Sequence, residues 1–228
     1  MMSGPNASVI ASFVSEPSRA AMLTLLMDGR YHTAGELACA AGVKAQTASY
    51  HLSMMVDGGV LDTKKQGRHR YFGIVNAQVA GIMELLLSAA PRLPVRSLRQ
   101  AEEDAAIRHA RTCYDHLAGR TGVLLTEAMV RLGVLLEDEE DYRVTDKGES
   151  FFASLGIDLE LARRKRRSFA RQCLDWSERK PHLGGALGQV VLARLIELAW
   201  IERSAHTRAV VVTRQGKMNL EKFFSVTL

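Results

Sequence analysis

Apolar residues recur at helical spacing through the first ninety positions, punctuated by glycines and by one stretch of alternating character. Residues 7–14 make a short apolar run. A second opens at Glu16-Pro17, where proline suits a first helical turn, and closes at Gly29. A third starts at Thr33, three residues ahead of Glu36 as in a capping box, and ends at Gly42. In residues 44–57, Ala48, Leu52 and Met55 fall at i, i+4 and i+7 and form one inward stripe, while Gln46, Thr47, Ser49, Tyr50 and Ser53 take the outward side. Gly58-Gly59 ends that helix. Residues 60–64 and 69–75 then read as strands joined through Gln66-Gly67-Arg68. A last helix, 77–90, carries Val79, Ile82, Met83, Leu85, Leu86 and Leu87 and is apolar nearly all round. The predicted order is four helices, a hairpin and a helix.

Residues 91–97 hold two of the five prolines, which fix φ and remove backbone donors, so this segment reads as a linker between residues 1–90 and 98–228. The second half repeats itself. One line runs Arg111-Thr-Cys113-Tyr-Asp115-His116, Gly119, Gly122, then Tyr142-Arg-Val-Thr145-Asp-Lys-Gly148 and Phe151-Phe152. The other runs Arg171-Gln-Cys173-Leu-Asp175, a six-residue insertion, His182, Gly185, Gly188, then Val211-Val-Thr213-Arg-Gln-Gly216 and Leu220. Each copy, about 98–156 and 157–228, reads as helix, helix, short hairpin, helix, and two copies invite a pseudo-two-fold pairing.

With 228 residues and 47% hydrophobic content the chain can bury real cores. Its net charge of +5, from 30 basic and 25 acidic residues, describes a mixed surface and supports a nucleic-acid partner only weakly. Three cysteines, odd in number and far apart, argue against a secreted disulfide framework and for a reducing compartment, the cytoplasm. The first residues lack a basic segment followed by an apolar one, and the helix at 77–90 contains Glu84 and is too short to span a bilayer. No Gly-rich phosphate loop, HExxH pair or paired acidic motif is present, so neither an enzyme nor a cofactor is expected.

The outward face of residues 44–57 is short, polar and nearly uncharged after Lys44, which suits base edges in a major groove, whereas a run of Lys and Arg would mainly grip phosphates. Lys64, Lys65, Arg68, His69 and Arg70 cluster around the glycine turn that follows and can neutralise the backbone or enter the minor groove. Reading and holding are thus divided between a helix and a hairpin. Glu36-Leu37, Gly42-Val43, Gln46-Thr-Ala-Ser-Tyr-His-Leu52, Gly58-Gly59-Val-Leu61 and Gln66-Gly-Arg-His-Arg-Tyr-Phe72 resemble the ArsR/SmtB family of helix-turn-helix repressors, over roughly residues 6–90. The resemblance implies a homodimer that pairs its first and last helices and lays residues 44–58 in the major groove of a DNA operator. The fold class expected is mainly α with short β-hairpin wings: an N-terminal winged helix-turn-helix domain and a C-terminal module of two winged-helix-like repeats. Many relatives sense metals through paired cysteines in the third helix or Asp and His on the last. Here only Cys39 stands in the third, and residues 77–89 carry no His, Asp or Cys, so no metal role is carried over and Cys39 is expected to be a small buried hydrophobe.

In the second half, His109, Cys113 and His116 fall at i, i+4 and i+7 and would share one face of a helix as a weak metal candidate. The other copy has Phe169 and Trp176 at the matching places, so no metal is assigned. Arg111 with Asp115, and Arg171 with Asp175, read as i,i+4 ion pairs around a core thiol. A second reading brings Cys113 and Cys173 together across the pseudo-two-fold as a thiol switch, or as the lining of a pocket with Tyr114, His116, Trp176 and His182 in which the arginines recognise an anion. Residues 137–141 are acidic and read as a solvated loop, while the basic run 163–167 is either an exposed face or an auxiliary phosphate contact. The expected function is a homodimeric repressor whose operator affinity answers, through its C-terminal half, to a small molecule or to thiol chemistry. The rival readings are an architectural or partner-docking DNA-binding protein without effector and, with less support, a nucleic-acid-directed enzyme.

Overall fold

The computed structural model describes residues 6–91, 94–95, 97–205 and 207–227. The chain divides into two compact units, Met1–Leu86 and Leu87–Leu228, so the division falls ahead of the proline segment, of which Arg92, Leu93 and Arg96 lie outside the described residues. Among the described residues no single helix is long and apolar enough to cross a membrane.

The first unit runs α1 (Ala7–Val14), α2 (Pro17–Leu26), β1 (His32–Thr33), α3 (Ala34–Ala41), α4 (Ala45–Asp57), β2 (Leu61–Gln66) and β3 (His69–Ile74), and α5 (Ala77–Ala89) begins in it and ends three residues past its boundary. Local chemistry sets its boundaries. Glu16 accepts the N–H groups of Ser18 and Arg19 ahead of Pro17, Thr33 and Glu36 form the reciprocal capping box, and Gly42 ends α3 in the left-handed region. Met22, Leu23, Leu26, Leu37, Leu52 and Met55 are fully buried and hold α2, α3 and α4 together. The sheet has the order β1-β3-β2, all antiparallel, and the register Gln66↔His69 leaves Gly67-Arg68 as the turn at the tip of the wing. Strand β1, absent from the sequence reading, is only two residues long and ties the start of α3 to β3 through His32↔Phe72.

Asp28, buried after α2, accepts from Arg30 N at 2.8 Å and lies 2.8 Å from His32 Nε2. Burial works against its charge, but the bonds from His32 and Arg30 outweigh that and hold its pKa below the ordinary 3.8. A carboxylate lowered on folding contributes stability above its unfolded pKa and loses it as pH falls through the folded one. Asp28→Asn is therefore expected to destabilise the full chain at neutral pH, with the gap to wild type closing as urea titrations move into the acid range. A gap constant with pH would refute this.

The second unit contains α6 (Leu98–His109), β4 (Arg111–Cys113), β5 (His116–Ala118), α7 (Gly119–Arg131), β6 (Leu135–Asp138), β7 (Asp141–Val144) and α8 (Asp146–Ser154). It continues with α9 (Leu159–Arg163), β8 (Gln172–Leu174), β9 (Pro181–Leu183), α10 (Gly185–Glu197), β10 (Ile201–Arg203), β11 (Val210–Val212) and α11 (Arg214–Phe224). The order helix, hairpin, helix, hairpin, helix occurs twice. The expectation of a helix around Cys113 and Cys173 is corrected: both stretches are strands of hairpins. Ala110 is extended and Tyr114 turns the chain at φ 59°, but the decisive partners are non-local. Thr112 N donates to Arg208 O and Val210 N to Ala110 O, while Gln172 N donates to Glu140 O and Tyr142 N to Ala170 O. These are the same two bonds exchanged between the copies, as are the bridges Arg111↔Ala209 and Asp141↔Arg171. Such reciprocity is the mark of an isologous two-fold contact, here within one chain.

Both copies feed one core, in which Leu125, Met129 and Phe152 of the first meet Leu187, Leu195, Leu220 and Phe224 of the second. The last helix of each copy is seated alike. Thr145 caps α8 by accepting from Gly148 N and donating to Gly133 O, and Thr213 caps α11 by accepting from Gly216 N and donating to Ala199 O.

Candidate nucleic-acid interface and a buried thiol–imidazole cluster

Helix α4 presents Gln46, Thr47, Ser49, Tyr50 and Ser53 to solvent, with Lys44 exposed at its N-cap and Ala48, Leu52 and Met55 buried behind. Tyr50 is 64% exposed. The inner edge of α4 is locked by His51, whose Nδ1 lies 3.3 Å from Arg19 Nη1 and whose Nε2 lies 3.7 Å from Glu16. Lys64, Lys65, Arg68, His69 and Arg70 are all exposed on the wing. Arg70 lies 5.2 Å over the Phe72 ring and Lys64 3.9 Å over Tyr31, so the stems of two cations are held on the sheet. Ser49, Ser53, Arg68, His69 and Arg70 converge with Thr33 and Gly35 on a groove of about 390 Å³. Thr33, the N-cap of α3, and Gly35 in its first turn carried no sequence signal for that groove beyond the cap. Cys39 is exposed rather than buried, because α3 turns Leu37 and Ala38 inward and leaves position 39 on its outer side.

In the second unit, the register places Cys113 directly opposite His116 across β4–β5, and Cys173 opposite His182 across β8–β9. Direct cross-strand partners share one face of a hairpin, so each copy offers one thiol and one imidazole side by side. The pseudo-two-fold brings the pairs together. Cys113 Sγ is 3.9 Å from Cys173 Sγ, the His116 and His182 rings are 5.1 Å apart, and all four residues are buried. Among the described residues, His116 Nε2 and both ring nitrogens of His182 are buried without a hydrogen-bond partner.

Carboxylates back this cluster, but not in the predicted pairs. Arg111 pairs with Asp175 of the other copy, Nη2 to Oδ2 at 2.9 Å, with both side chains fully buried and the guanidinium 4.4 Å over Trp176. Gly119 N also donates to Asp175 Oδ2 at 2.7 Å, and Ser177 N, Ser177 Oγ and Glu178 N donate to Oδ1. Asp115 pairs with Arg167 and faces His116 Nδ1 at 3.2 Å. Arg171 is exposed. The i,i+4 pairing of Arg111 with Asp115 and of Arg171 with Asp175 is corrected, because helical spacing does not apply to hairpin strands. The two arginines accordingly do not form an anion site: the anion that Arg111 meets is Asp175. His109 closes α6 outside the cluster, so the triad with Cys113 and His116 is replaced by a quartet that includes Cys173 and His182.

Burial opposes the charge of Asp175, yet Arg111 and Ser177 overcome it and hold the carboxyl at about 2. The neighbouring Cys113 thiol, together with the two imidazoles, outweighs burial and depresses the Cys173 thiol far below its ordinary range. Burial disfavours a charged His116, but Asp115 and Cys173 raise it to about 9.

The acidic stretch 137–141 is the exposed β6–β7 turn. Within the basic run, Arg163 pairs with Glu149 and Glu160, Lys165 bonds Gln189 and Arg167 holds Asp115, so these three side chains are engaged inside the unit.

A winged helix-turn-helix unit with a polar helix face beside a basic wing, followed by a duplicated module, defines a DNA-binding transcriptional regulator. A helix-turn-helix domain family matches residues 14–64. The uncharacterized HTH-type transcriptional regulator YdfF of Bacillus subtilis (strain 168) is 46% identical over 224 residues, 98% of this chain and 99% of that one. The chain belongs to the HTH-type transcriptional regulators. The HTH-type transcriptional regulator YgaV of Escherichia coli (strain K12) is 30% identical over 84 residues, 37% of this chain and 85% of that one. Among solved structures, the homodimeric winged helix-turn-helix DNA-binding domain of Mb0332 from Mycobacterium bovis is similar at 23% identity and TM-score 0.34, covering 39% of this chain and 89% of that one.

Proposed function

We propose that the protein is a homodimeric, cytoplasmic repressor that binds a specific DNA operator through α4 and its wing, with its affinity modulated through the second unit and with no catalytic activity of its own. The observation that carries this reading is the convergence of Ser49 and Ser53 of α4 with Arg68, His69 and Arg70 of the wing on one open groove. Hydroxyl groups there match base edges, and the cations match phosphates. Dimerisation is supported by Val9 of α1 and by Ile82, Leu85 and Leu86 of α5, large apolar side chains left at the surface.

The test is quantitative gel-shift titration on the DNA upstream of the protein's own gene. Tyr50→Ala is expected to relax discrimination between operator and mutated operator by about 1–3 kcal/mol per contacted base pair. Arg68→Ala is expected to weaken binding to all sequences alike and to lower the salt slope by about one unit. Equal behaviour of the two variants would defeat the division between reading and holding, and absence of operator preference in the wild type would defeat the function.

A further inference from the structure

We propose that Cys113, His116, Cys173 and His182 form a tetrahedral binding site for one zinc-class divalent cation, shared between the two repeats of the second unit. The site lies outside the helix-turn-helix unit, and metal uptake is read without DNA, so this inference stands apart from the operator reading.

The donor set is two thiols and two imidazoles, which borderline ions such as Zn²⁺ prefer over oxygen ligands. The distances suit the same ion. Zinc sits about 2.3 Å from sulfur and about 2.0–2.1 Å from nitrogen, and tetrahedral angles then separate the donors by about 3.3–3.8 Å. The two sulfurs are 3.9 Å apart and all four donor atoms lie within 4.8 Å of one another, so small side-chain rotations close the shell.

A second, independent observation is the state of the imidazoles. Buried polar atoms are nearly always satisfied, yet His116 Nε2 and both ring nitrogens of His182 have no hydrogen-bond partner among the described residues. A disulfide between Cys113 and Cys173 would leave those nitrogens as they are, whereas a cation beside the sulfurs satisfies one nitrogen of each ring. The outer groups are already placed for it. Asp115 Oδ1 hydrogen-bonds His116 Nδ1 at 3.2 Å, the carboxylate–histidine arrangement that leaves Nε2 to the metal, and Asp175 Oδ2 lies 3.7 Å from His182 Nδ1, within a small ring shift of the same arrangement. The two aspartates are themselves held by Arg167 and Arg111. Two thiolates neutralise a divalent ion, their protons leaving to solvent. Four protein donors leave no open position, so the ion acts as a clamp across the pseudo-two-fold rather than as a catalyst.

The site is tested on the reduced, full-length chain with Cys39→Ser, which removes the exposed thiol, by titrating Co²⁺ and following absorbance. The expected result is the strong visible bands of tetrahedral cobalt with a thiolate-to-cobalt charge-transfer band, saturating at a single ion per chain and bleached by Zn²⁺. Asp115→Asn is expected to keep that spectrum while weakening affinity about 10–100-fold. Zinc is expected to raise the melting temperature of the same protein over its chelated form. A reduced chain that takes up neither ion, or a cobalt spectrum without the charge-transfer band, overturns the proposal. Uptake that survives Cys113→Ser combined with Cys173→Ser overturns it equally.

Discussion

Asp175→Ala is expected to destabilise the second unit by about 3–5 kcal/mol, because removing one partner of a buried ion pair strands the other charge away from water. Arg111 and Asp175 are both fully buried and sit on opposite copies, so the pair spans the seam between the repeats. The carboxylate also takes the N–H of Gly119, at the start of α7, and organises the β8–β9 turn through Ser177 and Glu178. A unit of this size loses roughly 3 °C in Tm per kcal/mol, so calorimetry should show a fall on the order of 10–15 °C. The measurement belongs in chelator, where the neighbouring thiols and imidazoles hold no ion. Arg111→Met with Asp175→Leu is expected to recover only part of the loss, since an apolar pair removes the stranded charge but leaves the N–H groups of Gly119, Ser177 and Glu178 without their acceptor. A single variant melting within about 2 °C of wild type would show that the pair does not hold the seam.

Gly216→Ala is expected to cost more than about 3 kcal/mol, in the class of overpacking with no room to relax. An added Cβ would stand 1.8 Å from Trp200 O and 2.7 Å from its carbonyl carbon, so backbone rather than a flexible side chain would have to move. The cause is the docking of α11, whose first turn rests on the carbonyl leaving α10. In the other copy a Cβ added at Gly148 would stand 2.3 Å from Val134 O, and Gly148→Ala should fail in the same way. Gly35→Ala is the contrast: its Cβ would meet only Thr33 Oγ1 at 3.9 Å on a helix, and replacing glycine there should be neutral or stabilising by up to about 1 kcal/mol. Similar melting curves for Gly216→Ala and Gly35→Ala would overturn this account.

The first unit was legible because its signals are local. A capping box at Thr33 and Glu36, the apolar stripe of Ala48, Leu52 and Met55, and a glycine turn at the wing each act within a few residues and mark α3, α4 and the hairpin, as Pro17 and the apolar runs mark the other helices. Propensity and pattern suffice where an element is stabilised by its own neighbours. The two-residue β1 and the outward turn of Cys39 escaped, one for its brevity and the other because a short, mostly apolar helix does not announce which side is covered.

In the second unit, the amino-acid sequence by itself pointed to two copies and set Cys113, His116, Cys173 and His182 among a wider group with Arg111, Asp115, Arg171, Asp175 and Trp176. It did not determine how they meet. The stretch around each cysteine has residues that suit helix or strand, and the choice rests on bonds from the other copy, Arg208 O and Ala110 O on one side, Glu140 O and Ala170 O on the other. A reading of spacing therefore paired Arg111 with Asp115 on one helix, while the fold pairs it with Asp175 across the seam. Local pattern specifies elements, but partners some sixty residues away become neighbours only when a shared core closes around both copies.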